Sequence, residues 1–170
     1  MYEPLLFLDR KGVQISPVPL NEGEWHFVRD LQRFHAESPT YFAGKKLYLL
    51  RNQSKGRGLG FFEAGNFHPD FILWLVGAGQ QQILFVDPKG IRNLGENDPK
   101  IRFRETIKEI ERRLGDPSVR LESFIVSDTP WAKVELTWAT SKDELQKEHV
   151  LFQEETDYVR AMLQMVVEQR

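Results

Sequence analysis

Asp70, Asp87 and Lys89 are the residues whose types and spacing could do chemistry together. Asp87 and Lys89 are two apart, so on an extended strand they project from one face. Pro88 between them donates nothing to a sheet ladder, which puts it at an edge or where a strand is running out. Two hard carboxylates suit Mg²⁺, with Mn²⁺ as a substitute, in an oxygen shell that leaves positions for water and a substrate phosphate. Such an ion polarises a phosphoryl oxygen and lowers the pKa of a bound water. A lysine beside it can orient that water or offset charge on the scissile phosphate. Glu24 and Glu63 are candidates for a third acid. Each residue also has a plainer reading. Asp70 serves as a turn or capping acid, DPKG is good turn chemistry, Glu24 fits a capping box, and Glu63 is an ordinary strand-end charge.

The elements around these residues would have to bring them together. Residues 67–76 and 82–87 read as a hairpin joined by Gly77-Ala78-Gly79-Gln80. A hairpin sets the start of one strand beside the end of the next, so Asp70 converges on Asp87 and Lys89. The continuous runs FILWLV and ILFV predict strands buried on both faces, inside a sheet covered by helices. Before the hairpin, Asn21 followed by Glu24 predicts a helix start, and Glu24, Phe27, Val28, Leu31 and Phe34 share a face. Residues 1–20 suggest an entry strand or arm, and residues 46–51 and 59–64 read as strands. After it, Asp98-Pro99 predicts a helix running to Gly115, then a strand over 120–126, an ambiguous stretch over 131–136 and a cap at Ser141 with Glu144. A short strand at 150–152 and an amphipathic helix over 156–168 complete the order. The fold class is α/β, a central mixed sheet flanked by helices, in one domain over 1–170.

Composition bounds the function. The chain has 170 residues, 41% hydrophobic and 28% charged, an ordinary globular balance. Without cysteine there are no disulfides, zinc–thiolate sites or thiol nucleophiles, which suits a reducing, cytoplasmic setting. No signal peptide or bilayer-length apolar run is expected, so no membrane partner is. The net charge of −2 gives no global nucleic-acid signal, but its distribution is polarised. No acid occurs between residues 38 and 62, where Lys45, Lys46, Arg51, Lys55 and Arg57 lie. Residues 135–170 hold eight acids against four lysines and arginines. Arg92, Arg102 and Arg104 are either DNA-backbone contacts or plain surface. His68 reads as a hydrogen-bonded neighbour, and Trp74 as core.

The layout Pro69-Asp70, then Asp87-Pro88-Lys89, resembles the PD-(D/E)XK nuclease superfamily. The wider stretches PLNEGEWHFVRDL (19–31), YLLRN (48–52), GLGFFEAGNFHPDFILWL (58–75) and FVDPKG (85–90) resemble a narrower group. That group is the C-terminal nuclease domain of type III restriction endonuclease restriction subunits and related helicase-linked nucleases. The likeness is best over residues 17–114. It implies a restriction-endonuclease-like core, with Asp70 and Asp87 as metal ligands, Lys89 as the catalytic lysine, Glu24 as the helix acid and Glu63 less securely as a ligand. It also implies a Mg²⁺-dependent deoxyribonuclease acting on double-stranded DNA in a restriction or anti-phage system. A helicase motor in cis or in trans, a methyltransferase or specificity subunit, and a transient dimer on DNA are the partners it implies. No GxxxxGK[ST] loop is present, Lys55-Gly56-Arg57-Gly58-Leu59-Gly60 lacking the closing residues, so the motor would lie elsewhere; the chain reads as a C-terminal fragment, with a free-standing nuclease as the alternative. Two alternatives stay open: a catalytically inactive nuclease-fold module for DNA binding or protein docking, and an RNA or single-stranded DNA substrate.

Overall fold

The computed structural model describes residues 19–53, 58–61, 67–92, 94–95 and 98–168. Helix α1 (Glu22–Glu37) starts at a reciprocal cap. The Asn21 side chain accepts from Glu24 N at 2.8 Å, and the Glu24 carboxylate accepts from Asn21 N at 2.8 Å. Its apolar stripe, Phe27, Val28, Leu31 and Phe34, is buried.

The sheet runs in sequence order. Strands β1 (Lys45–Arg51), β2 (Phe71–Gly77) and β3 (Gln80–Lys89) are an antiparallel meander. Ala78 and Gly79 make the β2–β3 turn with φ of 50° and 74°, a two-residue connection whose twist suits a hairpin. Helix α2 (Phe103–Leu114) then crosses over to β4 (Val119–Ser127), which pairs parallel with β3. Short helices α3 (Trp131–Val134) and α4 (Lys142–Lys147) lead to β5 (Val150–Phe152), parallel to β4. Helix α5 (Tyr158–Glu168) ends the order. The result is an α/β fold around a five-stranded mixed sheet. Among the described residues no helix is long and apolar enough to cross a membrane.

Alternation along the strands sorts side chains between two faces. Leu73, Leu75, Leu84, Val86, Phe124 and Val126 form one core with α1 and α5. Ile72, Phe85 and Leu121 pack on the other face against Phe103 and Ile107 of α2. A third cluster joins Ile91, Ile101, Ile125, Leu145, Val150 and Phe152.

Three sequence expectations shift. Helix α2 begins four residues after Pro99: the Asp98 side chain accepts from Lys100 N at 2.9 Å and its carbonyl from Ile101 N at 2.9 Å, closing turns instead. Ile101 is buried in one cluster and Phe103 in another, so the chain must bend between them. The stretch 131–136 resolves to α3. Trp74 is half-buried and lines an open groove of about 620 Å³ with Leu50 and Ile83, no helix among the described residues covering that part of the α2 face. Of the strand expected over 59–64, only Phe61 is described as paired, bridging to Phe67. Of the arm expected over 1–20, residues 1–18 lie outside the described residues.

Candidate active site

Register brings Asp70 and Asp87 together. Phe71 pairs with Val86 and Ile72 with Phe85, so one further step sets Asp70 opposite Asp87. Both side chains belong to the α2 face, and the two carboxyl groups share a hydrogen bond. The β2 ladder stops at this point while β3 continues against β4 through Lys89. Beyond Val86 the strand's β2 flank is therefore open, which accommodates Pro88 inside an otherwise central strand. Asp87 is almost fully buried, and Lys89 Nζ donates to its Oδ2. The ammonium also lies 5.7 Å from the centre of the Phe67 ring.

The C-terminal ends of β1, β3, β4 and β5 and the start of β2 all reach this end of the sheet. The first turn of α1 is fastened there too. Gln153, just after β5, donates from its side chain to Gly23 O at 2.8 Å and from its backbone to Ser127 O at 2.9 Å. A methyl group at Gly23 would sit 3.2 Å from one carboxylate oxygen of Asp128, and one at Gly90 would sit 3.1 Å from the other. Glycine at both positions lets the helix start and the β3 end close on Asp128. Ends of parallel strands facing a helix N-terminus are a common place for anionic ligands to bind.

Glu24 comes to this end from α1, but its Oε2 is engaged. Besides the cap, it accepts from Arg51 Nη2 at 3.0 Å, and Arg51 also donates to Pro19 O at 3.2 Å. Asp70 thus has two acids, Asp87 and Glu24, acting on it against the nearby cation Lys89. Asp70 feels the imbalance. Burial first, then its hydrogen bond to Asp87 and the charges of Asp87 and Glu24, push its carboxyl up to about 8, with Lys89 pulling the other way.

Two adjoining carboxyls, one held protonated by burial and by the other, are the donor chemistry that a hard divalent cation would take over. Asp70 and Asp87 fit that role as an oxygen pair, with water and phosphate oxygens filling the rest of a shell. No group of three acids and histidines with metal-holding geometry exists among the described residues. Glu63 lies outside the described residues, as do Lys55 and Arg57.

Other residues weighed from the sequence fall as follows. His68 is the neighbour expected, its Nδ1 3.1 Å from Leu59 O. Arg51, grouped with surface cations, is instead the partner of Glu24. Arg104 turns inward, its Nε 3.8 Å from buried Glu122, whereas Arg92 and Arg102 are exposed. Sequence reasoning missed Arg51, Asp128 and Gln153 as members of this end. Their signal was only that each closes or follows a strand, visible once β1, β4 and β5 are placed side by side. No protein-family model matches the chain, and no curated protein or solved structure is significantly similar to it.

Proposed function

We propose that this chain is a metal-dependent endonuclease domain with a restriction-endonuclease-like core, hydrolysing phosphodiester bonds of double-stranded DNA. The observation that carries the reading is the Asp70–Asp87 carboxyl pair with Lys89 beside it, at a sheet end where strand pairing opens. Asp70 and Asp87 would hold Mg²⁺ or Mn²⁺. When bound, the ion would polarise a phosphoryl oxygen and acidify a water. Lys89, fixed by Asp87 and the Phe67 ring, is placed to donate to the attacking water or to the phosphate as negative charge builds. Water oxygen bonds to phosphorus as the ester oxygen leaves with a proton. Glu24 positions the α1 start and adds negative potential through its charge, held in place by Arg51. The net charge of −2 makes for weak DNA affinity by itself, which suits a domain brought to DNA by a motor or specificity subunit.

A second reading has its own support. With Glu24 occupied and no three-donor group among the described residues, the fold would serve as a non-cutting DNA-binding or docking module. Cleavage of supercoiled plasmid with Mg²⁺, with Mn²⁺ and with chelator separates the two. The nuclease reading predicts metal-dependent nicking lost in Lys89→Ala and Asp70→Ala. Absence of nicking together with absence of metal binding would establish the module instead.

A further inference from the structure

At the β1 end, Asn52 joins two segments, the one that carries Asp70 and the one around Leu59. Its backbone N donates to Asp70 O at 2.7 Å, and its side-chain Nδ2 donates to Pro69 O at 2.8 Å. The same Nδ2 donates to Leu59 O at 2.8 Å, while Oδ1 accepts from Leu59 N at 2.9 Å. Leu59 O is shared with His68 Nδ1, so two side chains grip one carbonyl.

The neighbouring glycines exist for this contact. A Cβ at Gly58 would fall 2.4 Å from Asn52 Oδ1 and 1.9 Å from Gln53 O, and one at Gly60 would fall 2.2 Å from the His68 ring. No side chain fits at either position without moving backbone or ring. From Leu59 the chain goes on to Phe61, which bridges to Phe67, the ring lying under the Lys89 ammonium. Asn52 therefore touches the backbone of one acid directly and, through residues 58–61, the seat of the lysine.

We infer that Asn52 is a positioning residue for the site, fixing Asp70 against Asp87 and the Phe67 platform under Lys89. The inference rests on the nuclease reading for its catalytic consequence but not for its structural one. Asp70 precedes the first β2 residue paired with β3, so on that side no ladder bond sets its backbone. Asn52, next in the β1 register after Arg51, holds it from the other side. Carboxylate ligands held by outer partners typically lose about 10–100-fold in metal affinity when those partners go.

The test uses the full chain with Asn52→Ala, and with Asn52→Leu, which removes the same side-chain bonds to Pro69 and Leu59 without leaving a hole; both keep the backbone bond to Asp70. Hydrogen exchange is followed by mass spectrometry, and plasmid nicking is followed as a function of Mg²⁺. We expect exchange protection to fall in peptides covering 50–53, 58–61 and 67–71 while β3, β4 and α5 stay protected. We expect the Mg²⁺ concentration for half-maximal nicking to rise about tenfold, with the rate at saturating Mg²⁺ within about threefold of wild type. Unchanged exchange, or protection lost throughout the sheet, would overturn the inference. So would a fall in rate at unchanged half-saturation. If the wild type itself does not nick, the nuclease reading fails, and the exchange pattern alone decides whether Asn52 holds Asp70.

Discussion

Asp70 is held in the fold in a state it would not choose in water. Its carboxyl keeps a proton to about pH 8 because it is buried against Asp87 and near Glu24. Asparagine at this position can donate the same hydrogen bond with no charge to desolvate. Asp70→Asn should therefore raise the stability of the metal-free protein at pH 8 by about 1–3 kcal/mol, read from urea unfolding in chelator. A destabilised variant would mean that the carboxyl is not strained. Glu24 is the complementary case. It is satisfied by Asn21 N and Arg51, so Glu24→Ala takes the carboxylate away from a half-buried guanidinium and a helix-start N–H. A loss of about 2–4 kcal/mol is expected. If Glu24 acts through this ion pair and not as a ligand, Glu24→Gln leaves Mn²⁺ affinity within about threefold of wild type.

At the scale of elements, what was legible had local causes. The α1 start was readable because a capping box is four residues of sequence. The β2–β3 hairpin was readable because its turn and apolar runs are contiguous, and hairpin register then places Asp70 near Asp87 without further information. The α2 start was not readable. Asp98-Pro99 is good helix chemistry locally, and only the burial of Ile101 in a separate cluster turns the chain before Phe103. Asn52 was equally hidden, since its partners lie 7 and 17–18 residues away across a loop. The glycines of that loop give a sharp test. Gly58→Ala forces a methyl into Gln53 O and should cost about 2 kcal/mol or more in thermal unfolding, whereas Gly95→Ala, with open space around it, should cost little.

The whole molecule carries another buried charge cluster, between β4 and charged side chains of α2, away from the candidate site. Glu122 on β4 is paired with Lys108 and lies near Arg104, both of α2, and 3.3 Å from His149 Nδ1. His149 stacks on Phe124 and has its Nδ1 3.2 Å from Ser123 O. Burial, then the charge of Arg104, depresses its pKa to about 3. The sign follows from the neutral imidazole. Its contribution is fully present above the ordinary histidine range, near 6.5, and is lost as pH falls toward 3, because the unfolded chain takes a proton that the fold refuses. Between pH 7 and pH 5 this group alone should remove about 2 kcal/mol of stability. Urea unfolding at the two pH values should show that loss in wild type and a smaller one in His149→Asn. Equal slopes would place the acid sensitivity elsewhere.

The nuclease reading requires that Asp70 and Asp87 together hold a divalent cation. Calorimetric titration of Mn²⁺ into wild type, Asp70→Asn and Asp87→Asn tests it without reference to any substrate. The predicted result is one site per chain in wild type and no measurable site in either variant, with all three folded by circular dichroism. Mn²⁺ binding unchanged in Asp70→Asn, or absent from wild type, would contradict it.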